Sequence, residues 1–528
     1  MKEVMKMVFR PESSAPADSL WEQPADQVEL TLEEGERWWG GTASDGLLMP
    51  FGDAAFARDL GSPTNQGSPL LLSTRGRVVG SHRPFAFTFE SGLLRVSGRE
   101  VRAGRCGRTL REAYLAASRE FFPPSGRAPA RELFTAPQYN TWIECPYTPT
   151  QESVLGFAAG LLEQGMPPGV LMIDDSWSPD YGTWHFDRGR FPDPAEMVRR
   201  LHSWGFSVML WVIPFVSPDS AAFRELEGRG LLLRDRDGET AVRRWWNGLS
   251  ALLDLTNPAA VDWMTGRLDA LRAATGVDGF KFDGGDAGDY RADDMTFRPA
   301  EPVDHCEAWS RVGLRYPFNE YRASWRMGGR PLAQRLQDKA PLWGTAGIES
   351  LVPEMLAQSM LGYSFTCPDM IGGGEIKAMS VEGASADQEF FVRYAQVAAL
   401  SPMMQFSLSP GRVLDDEHLA AVREAVAVRQ SLMPRLLDLV DEAAGTGEPV
   451  VRPMAYQAEG ADDVTDQFFL GPDLIVAPVV QRGVTVRSVV LPAGRWRADD
   501  GTEVEGPTTV EVACDLTRIP RFERLRGV

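Results

Sequence analysis

A chain of 528 residues exceeds one ordinary core, so two to four domains are expected. Its 43% hydrophobic and 24% charged residues are those of a soluble globular protein, and a formal net charge of −19 argues against a nucleic-acid backbone or an anionic membrane as partner. Five dispersed cysteines and five dispersed histidines show neither disulfide-framework nor metal-ligand spacing, the first residues lack a leader-like apolar core, and no apolar run approaches the roughly 20 residues of a membrane span; the chain reads as cytoplasmic.

Residues 1–132 carry short β-type runs, such as 28–32, 69–73 and 85–89, punctuated by Gly40-Gly41, Ser44-Asp45-Gly46 and Ser91-Gly92. This pattern predicts an N-terminal antiparallel β-sandwich. Within it Trp38, Trp39, Leu47, Leu48, Met49, Pro50 and Phe51 crowd one loop-like stretch, which is either a packed loop or a lid over a neighbouring site.

From Pro137 strands and helices alternate. Residues 138–143 read as a strand, 150–164 as a helix entered through Thr150, 169–173 as a buried strand ending in Asp174 and Asp175, and 194–204 as a helix. Residues 206–213 form another strand, 257–274 a helix, and 277–282 a strand that runs into Asp283, Gly284 and Gly285. Repeated strand–helix units with buried strands predict a parallel sheet, and the span 133–440 suits a (β/α)8 barrel. No GxGxxG follows a strand, which disfavours a dinucleotide fold. The polar stretch 442–449 marks a boundary, after which runs at 467–470, 473–479, 487–491 and 508–513 predict a small C-terminal β-domain over 441–528, serving as a structural cap.

Acids and tryptophans recur where barrel strands should end: Asp174, Asp175, Trp177, Trp211, Lys281, Asp283, Asp338 and Asp369. Indole faces stack on sugar rings and carboxylates accept from their hydroxyls. Glycoside cleavage needs two flanking carboxyl groups. These residues alone leave aldolase-like and isomerase chemistry open.

Several motifs carry a more specific likeness. Lys281-Phe282-Asp283-Gly284-Gly285-Asp286 resembles the Lys-x-Asp-x-Gly-Glu nucleophile motif of glycoside hydrolase family 31, the retaining α-glycosidases, with Asp286 in place of Glu. Asp338 precedes Trp343 by five residues, as the acid/base of that family does, and Arg322 stands sixteen residues before it, at the place of a sugar-contacting arginine. Asp174, Trp211, Trp246 and Asp369 match further sugar-contacting positions. The family's late histidine is replaced by Pro410 within Phe406-Ser407-Leu408-Ser409-Pro410. Segments 137–144, 167–175 and 365–375 resemble the myogenesis-regulating-glycosidase branch, which implies α-galactosidase activity, whereas other branches act on glucose or xylose.

The resemblance therefore implies a retaining exo-α-glycosidase that needs no cofactor or metal and takes an oligosaccharide or glycoside as substrate. Asp283 is the expected nucleophile and Asp338 the acid/base, with carboxyls roughly 5–5.5 Å apart. Lys281 is expected to keep Asp283 ionised, and a raised Asp338 pKa is expected from negative charge and partial burial. Asp175 either reaches an axial 4-hydroxyl or points behind the barrel, since consecutive strand residues alternate in direction. A catalytically inactive sugar-binding relative and a transglycosylase stay open, and a homo-oligomer is compatible with all of these readings.

Overall fold

The computed structural model describes residues 21–61, 65–375 and 387–525. Strands from Ala25–Thr31 to Leu93–Arg105 form an antiparallel N-terminal β domain. Its long last strand pairs with Phe85–Glu90 and Ala25–Thr31 over its first half and with Arg77–Gly80 over its second, so one strand joins two sheet halves around a shared apolar core. Trp38, Trp39, Met49 and Phe51 are buried in that core. The crowded stretch is neither loop nor lid: Trp38 and Trp39 lie in the strand Trp38–Thr42, and Leu47 and Leu48 end the 3-10 helix Ala43–Leu48 with their side chains exposed. It docks on the helix Leu351–Met360, where a Cβ on Gly46 would lie 2.6 Å from the Glu354 backbone, and none of it lines the cavity that holds Asp174, Asp283 and Asp338.

The central domain is a closed parallel barrel. Its strands are Gln138–Asn140, Val170–Ile173, Ser207–Val212, Gly279–Phe282, Phe318–Tyr321, Gln334–Arg335, a seventh in two pieces (Thr366–Cys367 and Met370–Ile371), and Gln405–Phe406. Every neighbouring pair is parallel, from the first piece of strand seven round to the second. The break falls at Pro368-Asp369, where proline lacks an N–H and Asp369 adopts φ 64. The predicted first strand is shorter than expected, because the chain turns after Asn140, whose Oδ1 accepts from Trp142 N at 2.8 Å.

Alternation along the fourth strand sets the site. Phe280 and Phe282 face outward against Tyr316, Trp309 and Tyr321, while Lys281 and then Asp283 face the barrel axis. The helices that hold these strands begin where their caps dictate. Thr150 and Ser153 form a capping box for Gln151–Glu163, and Asn257 caps Pro258–Thr275, which ends at Gly276 with φ 81.

The boundary read at 442–449 begins inside a helix. Residues up to 446 continue the helix Met433–Thr446, which Gly447 terminates at φ 82. Beyond it the C-terminal β domain is antiparallel, dominated by the hairpin Val486–Ala498 and Glu503–Ala513. Both strands extend beyond the predicted runs 487–491 and 508–513. Among the described residues no helix is long and apolar enough to cross a membrane; the N-terminal residues read for a leader lie outside the described residues.

Candidate active site

A cavity of about 360 Å³ opens at the carboxyl ends of the barrel strands, within the usual range for small-ligand sites. Eight of the nine residues singled out from sequence line it: Asp174, Asp175, Trp211, Trp246, Lys281, Asp283, Arg322 and Asp338.

The Asp283 carboxylate takes three donors. Its Oδ1 accepts from Arg322 Nε and from the Gly284 backbone N–H, each at 2.8 Å, and its Oδ2 accepts from Trp211 Nε1 at 2.9 Å. Burial alone would raise this carboxyl, but the Arg322, Lys281 and Arg335 cations and the Trp211 donor hold it well below the usual carboxylate range. Oδ1 is doubly engaged while Oδ2 holds one donor, so Oδ2 keeps a lone pair for attack. Gly284 sits at φ 57, and a Cβ there would come 2.7 Å from Ile213; this tight turn is what puts its N–H on the carboxylate.

Lys281 Nζ is 2.7 Å from Asp174 Oδ2, both side chains nearly fully buried. Burial opposes its charge most strongly, and the Asp174, Asp283 and Glu320 carboxylates together outweigh it, so the ammonium pKa lies above its ordinary value. Asp175 also faces the cavity. The strand ends at Ile173 and the chain turns, with Asp175 N donating to Asp174 Oδ1 at 2.9 Å and Ser176 at φ 68, so strand alternation no longer governs its direction. Asp175 accepts from Tyr181 Oη at 3.1 Å and from Asn247 Nδ2. Burial, then the neighbouring Asp174 charge, pushes its carboxyl up to about 7.

Arg322 reaches Asp283 through Nε and Asp286 through Nη2, and its guanidinium lies 5.4 Å over the half-exposed ring of Trp246. Asp338, with its side chain 39% exposed, accepts from Arg335 Nη1 at 2.8 Å.

Asp369, expected among the sugar contacts, is fully buried and does not line the cavity. Its left-handed backbone turns the carboxylate inward, where Oδ1 takes Arg335 Nη1 at 2.5 Å and Oδ2 takes Lys339 N at 2.7 Å. Its role in this geometry is to hold the guanidinium that holds Asp338. At the position of the missing histidine, Ser407 Oγ accepts from Ile143 N and Ser409 N donates to Glu144, each at 2.9 Å, tying the last strand to the first; Pro410 opens a short helix outside the cavity.

Sequence reasoning passed over Arg335, Asn65, Asn247, Trp142 and Tyr147. Arg335 had a local signal, three residues before Asp338, and Asn247 adjoins Trp246. Asn65 had none. It comes from the N-terminal domain and donates to Gln337 Oε1 at 2.9 Å. Next to it Gln66 donates to the Arg322 and Arg335 carbonyls, while Ser324–Trp325 adds a strand to the N-terminal sheet. The N-terminal domain is thus fastened to the segment that carries Arg322.

The chain matches the glycosyl hydrolases family 31 TIM-barrel domain over residues 137–439. This chain belongs to glycoside hydrolase family 31. The family's C-terminal domain matches residues 447–525. A mouse myogenesis-regulating glycosidase is 39% identical over 72% of this chain and 55% of its own length, and the α-xylosidase XylQ of Lactiplantibacillus pentosus is 28% identical over 72% and 52%. The chain therefore spans about half the length of these relatives. A cycloalternan-degrading enzyme from Trueperella pyogenes, solved in complex with a covalent intermediate, superposes with a TM-score of 0.79 at 20% identity, covering 95% of this chain and 78% of that one. The barrel with β domains before and after it is the fold expected from the sequence.

Proposed function

We propose that this family 31 protein is a retaining exo-α-glycosidase acting on terminal α-galactosides. The observation that carries the chemistry is an ionised Asp283 held by Arg322 and Trp211 with Oδ2 available, in one cavity with Asp338. Asp283 attacks the anomeric carbon while protonated Asp338 donates to the departing oxygen. Asp338, now a carboxylate, takes a proton from water as it displaces Asp283 from the glycosyl-enzyme.

Galactose is favoured by the branch likeness and by the carboxylate pair at the second strand. Asp174 is engaged by Lys281, whereas Asp175 is braced by neutral donors and is placed to meet an additional hydroxyl. The likeness to an α-xylosidase supports xyloside as the second reading. Both are tested by hydrolysis of nitrophenyl α-galactoside, α-glucoside and α-xyloside, with Asp283→Asn as control. Galactoside turnover that the variant lacks is the expected result. Turnover unchanged in Asp283→Asn overturns the mechanism, and preference for another sugar overturns the substrate. Sugar binding with no turnover of any glycoside identifies an inactive relative.

A further inference from the structure

Arg335 sets two demands against each other. Its Nη1 donates to Asp338 Oδ1 at 2.8 Å, which aims the carboxyl, and a guanidinium at that distance favours the charged carboxylate. A general acid must instead carry its proton when the substrate binds. Asp338 also lies in the field of Arg322, Asp369 and Tyr394. Arg322 adds a second cation to the first.

A counter-charge lies behind the guanidinium. On the fifth strand, alternation turns Tyr321 outward against Phe282 and Glu320 toward the barrel axis. Glu320 Oε1 accepts from Arg335 Nε at 3.3 Å and Oε2 from Gln405 Nε2 at 2.5 Å, with the Glu320 and Arg335 side chains each 1% exposed. Arg335 Nε and Gln405 Nε2 can only donate, so both oxygens are set for the ionised form. Gln405 is aimed by the first strand: its Oε1 accepts from Asn140 Nδ2 at 3.3 Å, and its Nε2 also donates to Gln138 Oε1 at 2.8 Å. Lys281 stands beside Glu320 in register on the fourth strand, and Asp174 and Cys367 lie in its field from the second and seventh. Burial raises the Glu320 carboxyl, with Arg335, Lys281 and the Gln405 donor opposing.

Position separates Glu320 from the other buried acid on this guanidinium. Asp369 takes Nη1, the same nitrogen that serves Asp338, and so competes with it for donors. Glu320 takes Nε and leaves Nη1 to the cavity side. We propose that Glu320 is a positioning residue for the proton donor: its charge, buried behind Arg335, lets the guanidinium aim Asp338 while Asp338 keeps the proton it must give. This rests on the retaining-glycosidase reading above, which makes Asp338 the acid.

The test is the pH dependence of kcat/KM in Glu320→Gln, measured on an alkyl glycoside of the preferred sugar and on its dinitrophenyl counterpart. With the counter-charge gone, Arg335 and Lys281 draw the proton off Asp338 more readily. The basic limb on the alkyl glycoside is therefore expected to move about one unit to lower pH, a loss of about tenfold at any pH above it. The dinitrophenyl glycoside, which departs without that proton, should show no such movement. Gln405→Met, which removes a neighbour of Glu320 but no charge, should leave the limb in place. Should Glu320→Gln fail to fold, Glu320→Asp decides: it keeps the charge but draws it back from Arg335, and the limb should move the same way by less. A limb that stays put in the Glu320 variant, moves equally for both leaving groups, or moves as far in Gln405→Met overturns the proposal. If no glycoside is cleaved, the catalytic reading has failed, and the Asp338 carboxyl is titrated directly by carbon-13 NMR, its resonance assigned with Asp338→Asn. A lower midpoint in the Glu320 variant than in the parent upholds the role of Glu320, and equal midpoints overturn it.

Discussion

Arg322 donates to Asp283 and to Asp286 at the same 2.8 Å, so the acid that departs from the family motif shares a guanidinium with Asp283. The second arm fixes the first: with Nη2 on Asp286 and the ring of Trp246 beneath, Nε has one direction left, toward Asp283. Hydrogen bonds to charged groups contribute about 1.5–3 kcal/mol. Asp286→Ala is therefore expected to lower kcat/KM by about 10- to 100-fold, and Asp286→Glu, which restores the family residue, to stay within about threefold. Steady-state kinetics check both, and an Asp286→Ala enzyme with unchanged kcat/KM removes the positioning role.

Lys281 lies in the same field. Its ammonium helps hold the Asp283 carboxyl low although its direct partner is Asp174. The rate requires ionised Asp283, so the acid limb of kcat/KM reports its pKa in the free enzyme. Lys281→Met removes one of the cations, the carboxyl moves up, and the acid limb moves to higher pH. The same variant leaves Asp174 buried without its cation, which should raise KM. A pH–rate profile superimposable on that of the parent enzyme would show that Arg322 and Arg335 suffice.

Asp175 gives a stability prediction of opposite sign to Asp283. Its folded-state carboxyl is raised to about 7, above its unfolded value, so the folded chain holds the extra proton between about pH 4 and 7. Stability from this group is present below the unfolded pKa and lost as pH rises through the folded one. Asp175→Asn mimics the protonated form. Its Tm should equal that of the parent near pH 4 and exceed it near pH 8, where the gain in unfolding free energy is at most about 4 kcal/mol. Thermal melts at the two pH values check this; a Tm difference independent of pH would show that Tyr181 and Asn247 already stabilise the charged form.

How far the sequence carried this site depends on where each residue gets its environment. That Asp283, Asp338 and Arg322 share one cavity was legible because each follows a barrel strand in a spaced motif, and strand ends in this fold converge. Asp369 was legible as a matched position but not in its role, because a broken seventh strand and a left-handed backbone turn it from cavity to core. Asn65 was illegible because its partner, Gln337, lies 272 residues away in another domain. Asp175 stayed open in the sequence because alternation holds only while a strand lasts, and this one stops two residues earlier. The polar stretch 442–449 was read as a domain boundary, yet burial of Ala443 and Ala444 keeps its first residues in the helix Met433–Thr446.

Arg335 is the buried joint beneath Asp338. One guanidinium, 1% exposed, serves Asp338 at 2.8 Å, Asp369 at 2.5 Å and Glu320 at 3.3 Å. Glu320 and Asp369 are buried, so Arg335→Met leaves carboxylates without their cation and should cost about 3–5 kcal/mol of stability. Arg335→Lys separates folding from chemistry. Lysine keeps the charge but offers a point in place of a planar fork, and cannot orient Asp338 while holding both buried acids. The Lys variant should fold, and its defect should follow the leaving group. Glycosides of poor leaving groups, which need the proton from Asp338, should lose about 10- to 100-fold in kcat/KM, while dinitrophenyl glycosides, which leave without it, should lose little at the glycosylation step. A plot of rate against leaving-group pKa measures this directly, and it should steepen in Arg335→Lys. Parallel lines for the two enzymes would mean that Arg335 supports the fold and that Asp338 finds its position without it.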